Sequence, residues 1–166
     1  MNRIVVVSSC GTLRAPVAAG ALRAQLALLG IHDVEVIPAS LTMDNPRVDR
    51  VALEALASLG IEGDQPVPVK LTAELVREAN LILCMTDREL EEVRQLGQTR
   101  AHTLAGYLDR EAEWQLYTFE LDVGGTAEKL AGNLAGVIHQ VAVQIGYEVE
   151  AASRPEGGPP AGPTMP

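Results

Sequence analysis

The residues of this chain with the clearest chemical potential lie together at Ser8-Ser9-Cys10-Gly11-Thr12-Leu13-Arg14, directly after the apolar run Ile4-Val5-Val6-Val7. Small residues and a glycine ahead of a helix let successive backbone N–H groups turn toward one point. The helix N-terminus adds favourable potential for an anion there. Arg14, in the first turn of that helix, supplies forked donors that match phosphate oxygens. The donors expected around a phosphate are therefore Ser9, Cys10, Gly11, Thr12, Leu13 and Arg14. Taken alone, the segment is more simply a strand-to-helix turn carrying a surface arginine.

Other reactive residues are scattered. Cys84 sits inside the apolar run Leu81-Ile82-Leu83-Cys84-Met85 and reads as a small buried hydrophobe. His32 and His139 fall in or beside helices, His102 falls in a strand, and nothing gathers them into a metal site. No metal or cofactor is expected. The charges Asp87-Arg88-Glu89 and Glu91-Glu92 read as a solvated helix face.

The elements that must position the loop follow from periodicity. Ile4 to Val7 is a β-branched strand fit for burial on both faces. Pro16 is tolerated in the first turn of a helix. That helix has a stripe of Val17, Ala21, Leu22, Leu28 and Leu29, and it ends at Gly30. Val34 to Ile37 reads as a second strand closed by Pro38. After a loop at Leu41 to Pro46, a helix is expected over about residues 48–59 with Gly60 as its stop. Thr72 is the N-cap of a short helix that buries Leu75 and Val76. Leu81 to Met85 is another buried strand. Thr86 or Asp87 caps a helix over Arg88 to Leu96, and Ala101 to Leu104 is a short strand. Gly124-Gly125-Thr126 opens a last helix at about 127–145.

Strands alternating with helices imply right-handed βαβ units, hence an α/β fold with a small parallel sheet flanked by helices. Ligands of such sheets bind beyond the carboxyl ends of the strands, and Ser8 to Arg14 lies at one of them. A chain of 166 residues suffices for one domain with a real core. The expected division is a domain over 1–148 and a Pro/Gly-rich disordered tail over 149–166. No apolar run reaches the roughly 18 residues of a membrane span. The N-terminal apolar run is too short for a signal peptide, so a cytoplasmic location is expected. A net charge of −9 without a basic cluster argues against nucleic acid and anionic membranes as partners. No heptad or large apolar stripe demands an oligomer; a monomer or weak dimer is expected.

The order of these pieces resembles the low-molecular-weight protein tyrosine phosphatases, whose loop runs Cys-x-Gly-Asn-x-Cys-Arg-Ser-Pro after an apolar strand. With Arg14 and Pro16 in register, the nucleophilic cysteine of that family falls on Ser8. The likeness continues through Leu71 to Leu75 and Ala79 to Thr86, which resemble the approach to the family's central Met-Thr or Met-Asp turn. It extends through Thr103-Leu104 with Tyr107, and through Asp122-Val123-Gly124-Gly125-Thr126, which resembles the loop of the general acid. It spans about residues 3–146. The resemblance implies the phosphotyrosine phosphatase I fold, with catalytic roles at Ser8, Arg14 and Asp122. It also implies a phosphorylated protein or a small phosphate oxyanion as partner. Trp114, Tyr117 and Phe119, ahead of Asp122, would line the pocket mouth or form a satellite core.

The departures from the family bear on chemistry. In the family a thiolate attacks phosphorus and an aspartic acid protonates the leaving group. A serine hydroxyl titrates too high to ionise in the same field, and no loop histidine could act as its base, so very low turnover is expected. Cys10 stands four residues before Arg14; a loop shorter by two residues would bring it to the strand end as nucleophile. Gly11 replaces an asparagine held in a left-handed conformation, which glycine accepts freely. The family's supporting serine falls near Pro38. Val123 stands where a proline usually follows the acid. Thr12 and the Gly-Gly-Thr after Asp122 lean toward phosphoarginine phosphatases. Two functions follow: hydrolysis of phosphate monoesters or phosphoarginine on proteins, or a pseudo-phosphatase that only binds them. An arsenate reductase on the same fold would need a longer cysteine relay than two residues allow.

Overall fold

A computed structural model describes residues 1–97, 100–108 and 127–154. Its elements in chain order are β1 (Arg3–Ser8), α1 (Arg14–Leu28), β2 (Glu35–Ser40), α2 (Arg50–Ser58), β3 (Val69–Lys70), α3 (Ala73–Glu78), β4 (Leu81–Cys84), α4 (Asp87–Leu96), β5 (Ala101–Thr103), α5 (Leu104–Tyr107) and α6 (Ala127–Ala152). The strands form one sheet in the order β3-β2-β1-β4-β5, and each pairing is parallel. This is the expected α/β architecture.

Alternation along the central strands divides the core in two. Ile4, Val6, Leu81 and Leu83 face α1, α2 and α6, where Leu22, Leu26, Leu56, Leu134 and Ile138 pack against them. Val5, Val7, Ile82 and Cys84 face the other way, toward Val76 of α3 and Leu90 and Val93 of α4. Strands covered on both sides need no polar alternation, which is why β1 and β4 read as continuous apolar runs.

Helix boundaries follow local chemistry. Gly30 and Gly60 take φ of +78° and +75°, and Ile31 and Ile61 donate back to Leu26 and Leu56, closing α1 and α2. Thr72 caps α3 by accepting from the Leu75 amide at 3.1 Å.

Several boundaries differ from expectation. Pro38 does not close β2 but lies inside it, paired with Val6. The amides of Glu35 and Leu41 bond toward β1, whereas the Ser40 carbonyl bonds toward β3. Pro38 shares the outward phase with Ser40, and β3 pairs only with Ala39 and Ser40, so its missing N–H costs no ladder bond. The two-residue β3 was too short to leave a pattern. The α1 stripe turns away from the core at its end: Leu28 and Leu29 are exposed, and Leu26 is buried in their place. The strand expected to reach Leu104 stops at Thr103, whose side chain caps α5 by accepting from the Gly106 amide. Finally, α6 runs through the boundary expected at 148 and continues to Ala152. Its buried Leu134, Val137, Ile138, Val141 and Ile145 keep one face on the core. Residues 155–166 lie outside the described part of the chain.

Candidate active site

The sheet order places the loop. Strand β1 leads outward to β2 on one side and to β4 on the other, so its carboxyl end opens at the switch point of the winding. Ser8 is the last residue of β1 and Arg14 the first of α1. The loop residues Ser9, Cys10, Gly11, Thr12 and Leu13 run between them.

Backbone bonds from three sides hold that loop. The Ser9 carbonyl accepts from the amides of Leu41 and Thr42, both at 3.1 Å, from Thr42 Oγ1 at 2.9 Å and from Ser40 Oγ at 3.2 Å. The Thr12 carbonyl accepts from the Asp49 amide at 2.7 Å, just ahead of α2. Within the loop, the Gly11 amide donates to Ser8 Oγ at 3.1 Å. No hydrogen bond among the described residues engages the amides of Cys10, Thr12 or Leu13. Leu13 precedes α1 without offering a side-chain cap.

Gly11 has φ +68°, the left-handed conformation anticipated from the sequence. A Cβ at this position would lie 2.6 Å from Ser40 Cβ and 2.7 Å from Ser40 Cα. The residue against Gly11 is therefore Ser40, not Pro38 as the sequence comparison placed it. Ser40 pairs with Ser8 across β1 and β2, and its hydroxyl spans the Ser9 carbonyl and the Met43 amide. The loop has thus kept a supporting serine.

Ser8 is buried, 2% exposed, and its hydroxyl receives the Gly11 amide. No histidine or carboxylate among the described residues hydrogen-bonds Ser8 Oγ. Cys10 lies two residues beyond the end of β1 and is exposed, and the shortened loop does not form. Burial pushes the Cys84 thiol well above its ordinary range, as expected for a core residue.

Arg14 is not a surface arginine. It is 4% exposed, and its Nη2 donates to Glu89 Oε1 at 3.1 Å. Glu89, 1% exposed, was expected on a solvated helix face. Instead its carboxylate joins α4 to the loop. Oε1 accepts from the Ser9 amide, the Ser9 hydroxyl and Arg14 Nη2, each at 3.1 Å. Oε2 accepts from the amides of Met85 at 2.9 Å and Thr86 at 3.2 Å. Thr86 in turn accepts from the Glu89 amide, completing a capping box. The signal was present in the sequence: Thr86 with a glutamate three residues on has that spacing.

Asp122, Trp114, Tyr117 and Phe119 lie outside the described residues. His32 is exposed, His139 Nδ1 meets Gln25 Oε1 at 3.0 Å, and His102 tilts against Tyr107. Among the described residues no group of three His, Cys, Asp or Glu could hold a metal ion, and no helix is long and apolar enough to cross a membrane.

The family model for low molecular weight phosphotyrosine protein phosphatase matches residues 3–118. The chain belongs to that family. Its structural neighbours include low-molecular-weight phosphatases. A low molecular weight protein tyrosine phosphatase from Bacillus subtilis superposes with a TM-score of 0.73 at 22% identity, over 89% of this chain and 99% of the other. YfkJ from Bacillus subtilis gives 0.74 at 15% identity, over 93% and 98%. A cysteine-to-serine mutant of YwlE arginine phosphatase, solved with a phosphorylated active-site serine, gives 0.70 at 25% identity, over 86% and 95%. Comparison with curated protein sequences gave no match.

Proposed function

We propose that the Ser8–Arg14 loop binds the phosphoryl group of a phosphorylated side chain on a cytoplasmic protein, as a phosphate monoester or phosphoarginine, and turns it over slowly if at all. The observation that carries this reading is Ser8 itself. It occupies the end of β1, buried, with a backbone amide directed at its oxygen. An amide there stabilises an anion, yet a hydroxyl is far harder to ionise than a thiol without a base beside it. The fixed Ser9 and Thr12 carbonyls keep the loop shaped for a tetrahedral anion. Arg14 supplies the opposing positive charge, and Asp122 is the proposed proton donor to a leaving group. The mutant of YwlE with its phosphorylated serine supports the view that serine at such a position accepts a phosphoryl group. A transfer to Ser8 would form the Oγ–P bond as the bond from phosphorus to the leaving group breaks, with Asp122 protonating the leaving group and the hydroxyl proton passing to a phosphoryl oxygen. Without a base beside Ser8 that step is slow, which makes the loop a binding module more than a turnover site. Monomer or weak dimer is the proposed state.

The test is aryl phosphate turnover, with inorganic phosphate binding measured alongside, by the unmodified chain, Ser8→Cys, Cys10→Ala and Arg14→Ala. The reading predicts little activity in the unmodified chain, a gain in Ser8→Cys, no effect of Cys10→Ala and loss of phosphate binding in Arg14→Ala. Brisk turnover that disappears with Cys10 would overturn it.

A further inference from the structure

We propose that Glu89 is a resident anion of the loop, and that an external phosphate binds only by taking Ser9 and Arg14 away from it. The inference rests on the phosphate-binding reading above and adds what sets the affinity.

The geometry divides the carboxylate between two tasks. Oε2 lies against the first turn of α4, held by the Met85 and Thr86 amides. Oε1 faces the loop and collects a backbone amide, a hydroxyl and a guanidinium N–H, all at 3.1 Å. Those are the donor types that a phosphate-binding loop offers its ligand, and all three belong to the two residues at either end of this loop. The loop's guanidinium faces an internal carboxylate, and both side chains are at most 5% exposed. A second anion brought beside Glu89 would meet like-charge repulsion at short range in a poorly solvated site. The anchored Oε2 also prevents the carboxylate from swinging fully out of the way. A ligand must therefore compete for Ser9 N–H and for Arg14, and affinity is low for that reason.

Glutamine at this position separates the two tasks. Its single amide oxygen can replace Oε2 at the Met85 and Thr86 amides. Its NH2 then faces the Ser9 amide and Arg14, where donor meets donor, and could donate only to Ser9 Oγ, so this side chain no longer holds the Ser9 amide or the guanidinium. Aspartate provides an independent route, because it keeps the charge but is one methylene too short to span α4 and the loop.

The test is calorimetric titration of inorganic phosphate into the full chain, Glu89→Gln, Glu89→Asp and Arg14→Ala, with folding verified by circular dichroism. Tighter binding by at least about tenfold in Glu89→Gln, and a smaller gain in Glu89→Asp, is expected. If Glu89→Gln does not fold, a gain in Glu89→Asp alone supports the inference. Binding that needs Arg14 but is unchanged or weakened in the folded Glu89 variants would make Glu89 a positioning residue and overturn it. Absence of binding in every chain, or binding indifferent to Arg14, would overturn the phosphate-binding reading as well.

Discussion

Glu89 Oε1 lies 3.1 Å from Arg14 Nη2, and the same oxygen receives the Ser9 amide and hydroxyl. The contact links the first turn of α4 to the first residue of α1 across the carboxyl ends of β1 and β4. Removing one member of a buried ion pair leaves a charge without its partner and costs about 3–5 kcal/mol. Arg14→Ala should therefore lower stability by that order, and the Arg14→Ala/Glu89→Ala double variant by less than the sum of the single losses. A urea-unfolding double-mutant cycle measures this; strict additivity would mean the two side chains are not energetically coupled.

Ligand-linked stability gives a second reading of the same pair. A molecule that binds only the folded state raises the melting temperature, by an amount that grows with the logarithm of its concentration over its dissociation constant. Phosphate should raise the melting temperature of Glu89→Gln more than that of the unmodified chain at equal concentration. Equal increments would show that the carboxylate does not compete.

Gly11→Ala tests the loop shape. The new Cβ would sit 2.6 Å from Ser40 Cβ and 2.8 Å from the Ser40 amide nitrogen, on a residue with φ +68°. Left-handed strain alone is worth on the order of 1–3 kcal/mol, and the close approach to backbone adds to it. Thermal denaturation should show a loss of at least about 2 kcal/mol together with loss of phosphate binding. A fully stable, phosphate-binding alanine variant would mean that the loop has room that this packing denies.

The two thiols should react differently. Cys10 is exposed, whereas Cys84 is buried in the second core cluster with its thiol pushed up by desolvation. Iodoacetamide should label Cys10 in the native protein and Cys84 only after unfolding, read by mass spectrometry of peptides. Rapid native labelling of Cys84 would contradict the burial of β4.

How much of this was legible in the sequence depends on whether the signal was local. The runs Ile4 to Val7 and Leu81 to Met85, the stops at Gly30 and Gly60 and the cap at Thr72 are local signals, and each marks an element of the fold, the second strand ending one residue early at Cys84. Ser8 was placed at the nucleophile position by the family resemblance, with Arg14 and Pro16 in register, and it is the last residue of β1. Glu89 was misread because its neighbours Arg88, Glu91 and Glu92 are charged and solvated, and only the fold shows that its side chain turns inward. Its capping-box spacing to Thr86 was readable, but its reach to Ser9, 80 positions away in sequence, was not. The supporting serine of the family was placed near Pro38, two residues short of Ser40; separately, proline suggested a strand end, although β3 is so short that an outward-facing proline is harmless inside β2.

The pairing of Arg100 with Glu148 gives a pH signature outside the loop. Both terminal nitrogens of Arg100 donate to the carboxylate, at 2.8 and 2.7 Å, tying the residue just ahead of β5 to α6. Hydrogen bonding by Arg100 holds the Glu148 carboxyl below the usual glutamate range. A carboxyl depressed in the folded state contributes stability that is complete above its unfolded-state pKa. That contribution is lost as the pH falls through the folded value. Glu148→Gln should therefore cost about 1 kcal/mol or less at pH 7, the pair being partly solvated, and the difference should vanish in strong acid. A difference that grew on acidification would reverse the assignment.

The most direct test of the central claim is a titration of inorganic phosphate followed by the backbone amide resonances of the unmodified chain. The account predicts saturable shifts at Ser9, Cys10, Gly11, Thr12 and Leu13, with the amides of Met85 and Thr86 nearly still, and their loss in Arg14→Ala. Loop amides that stay in place, or shifts of the same size without Arg14, would contradict it.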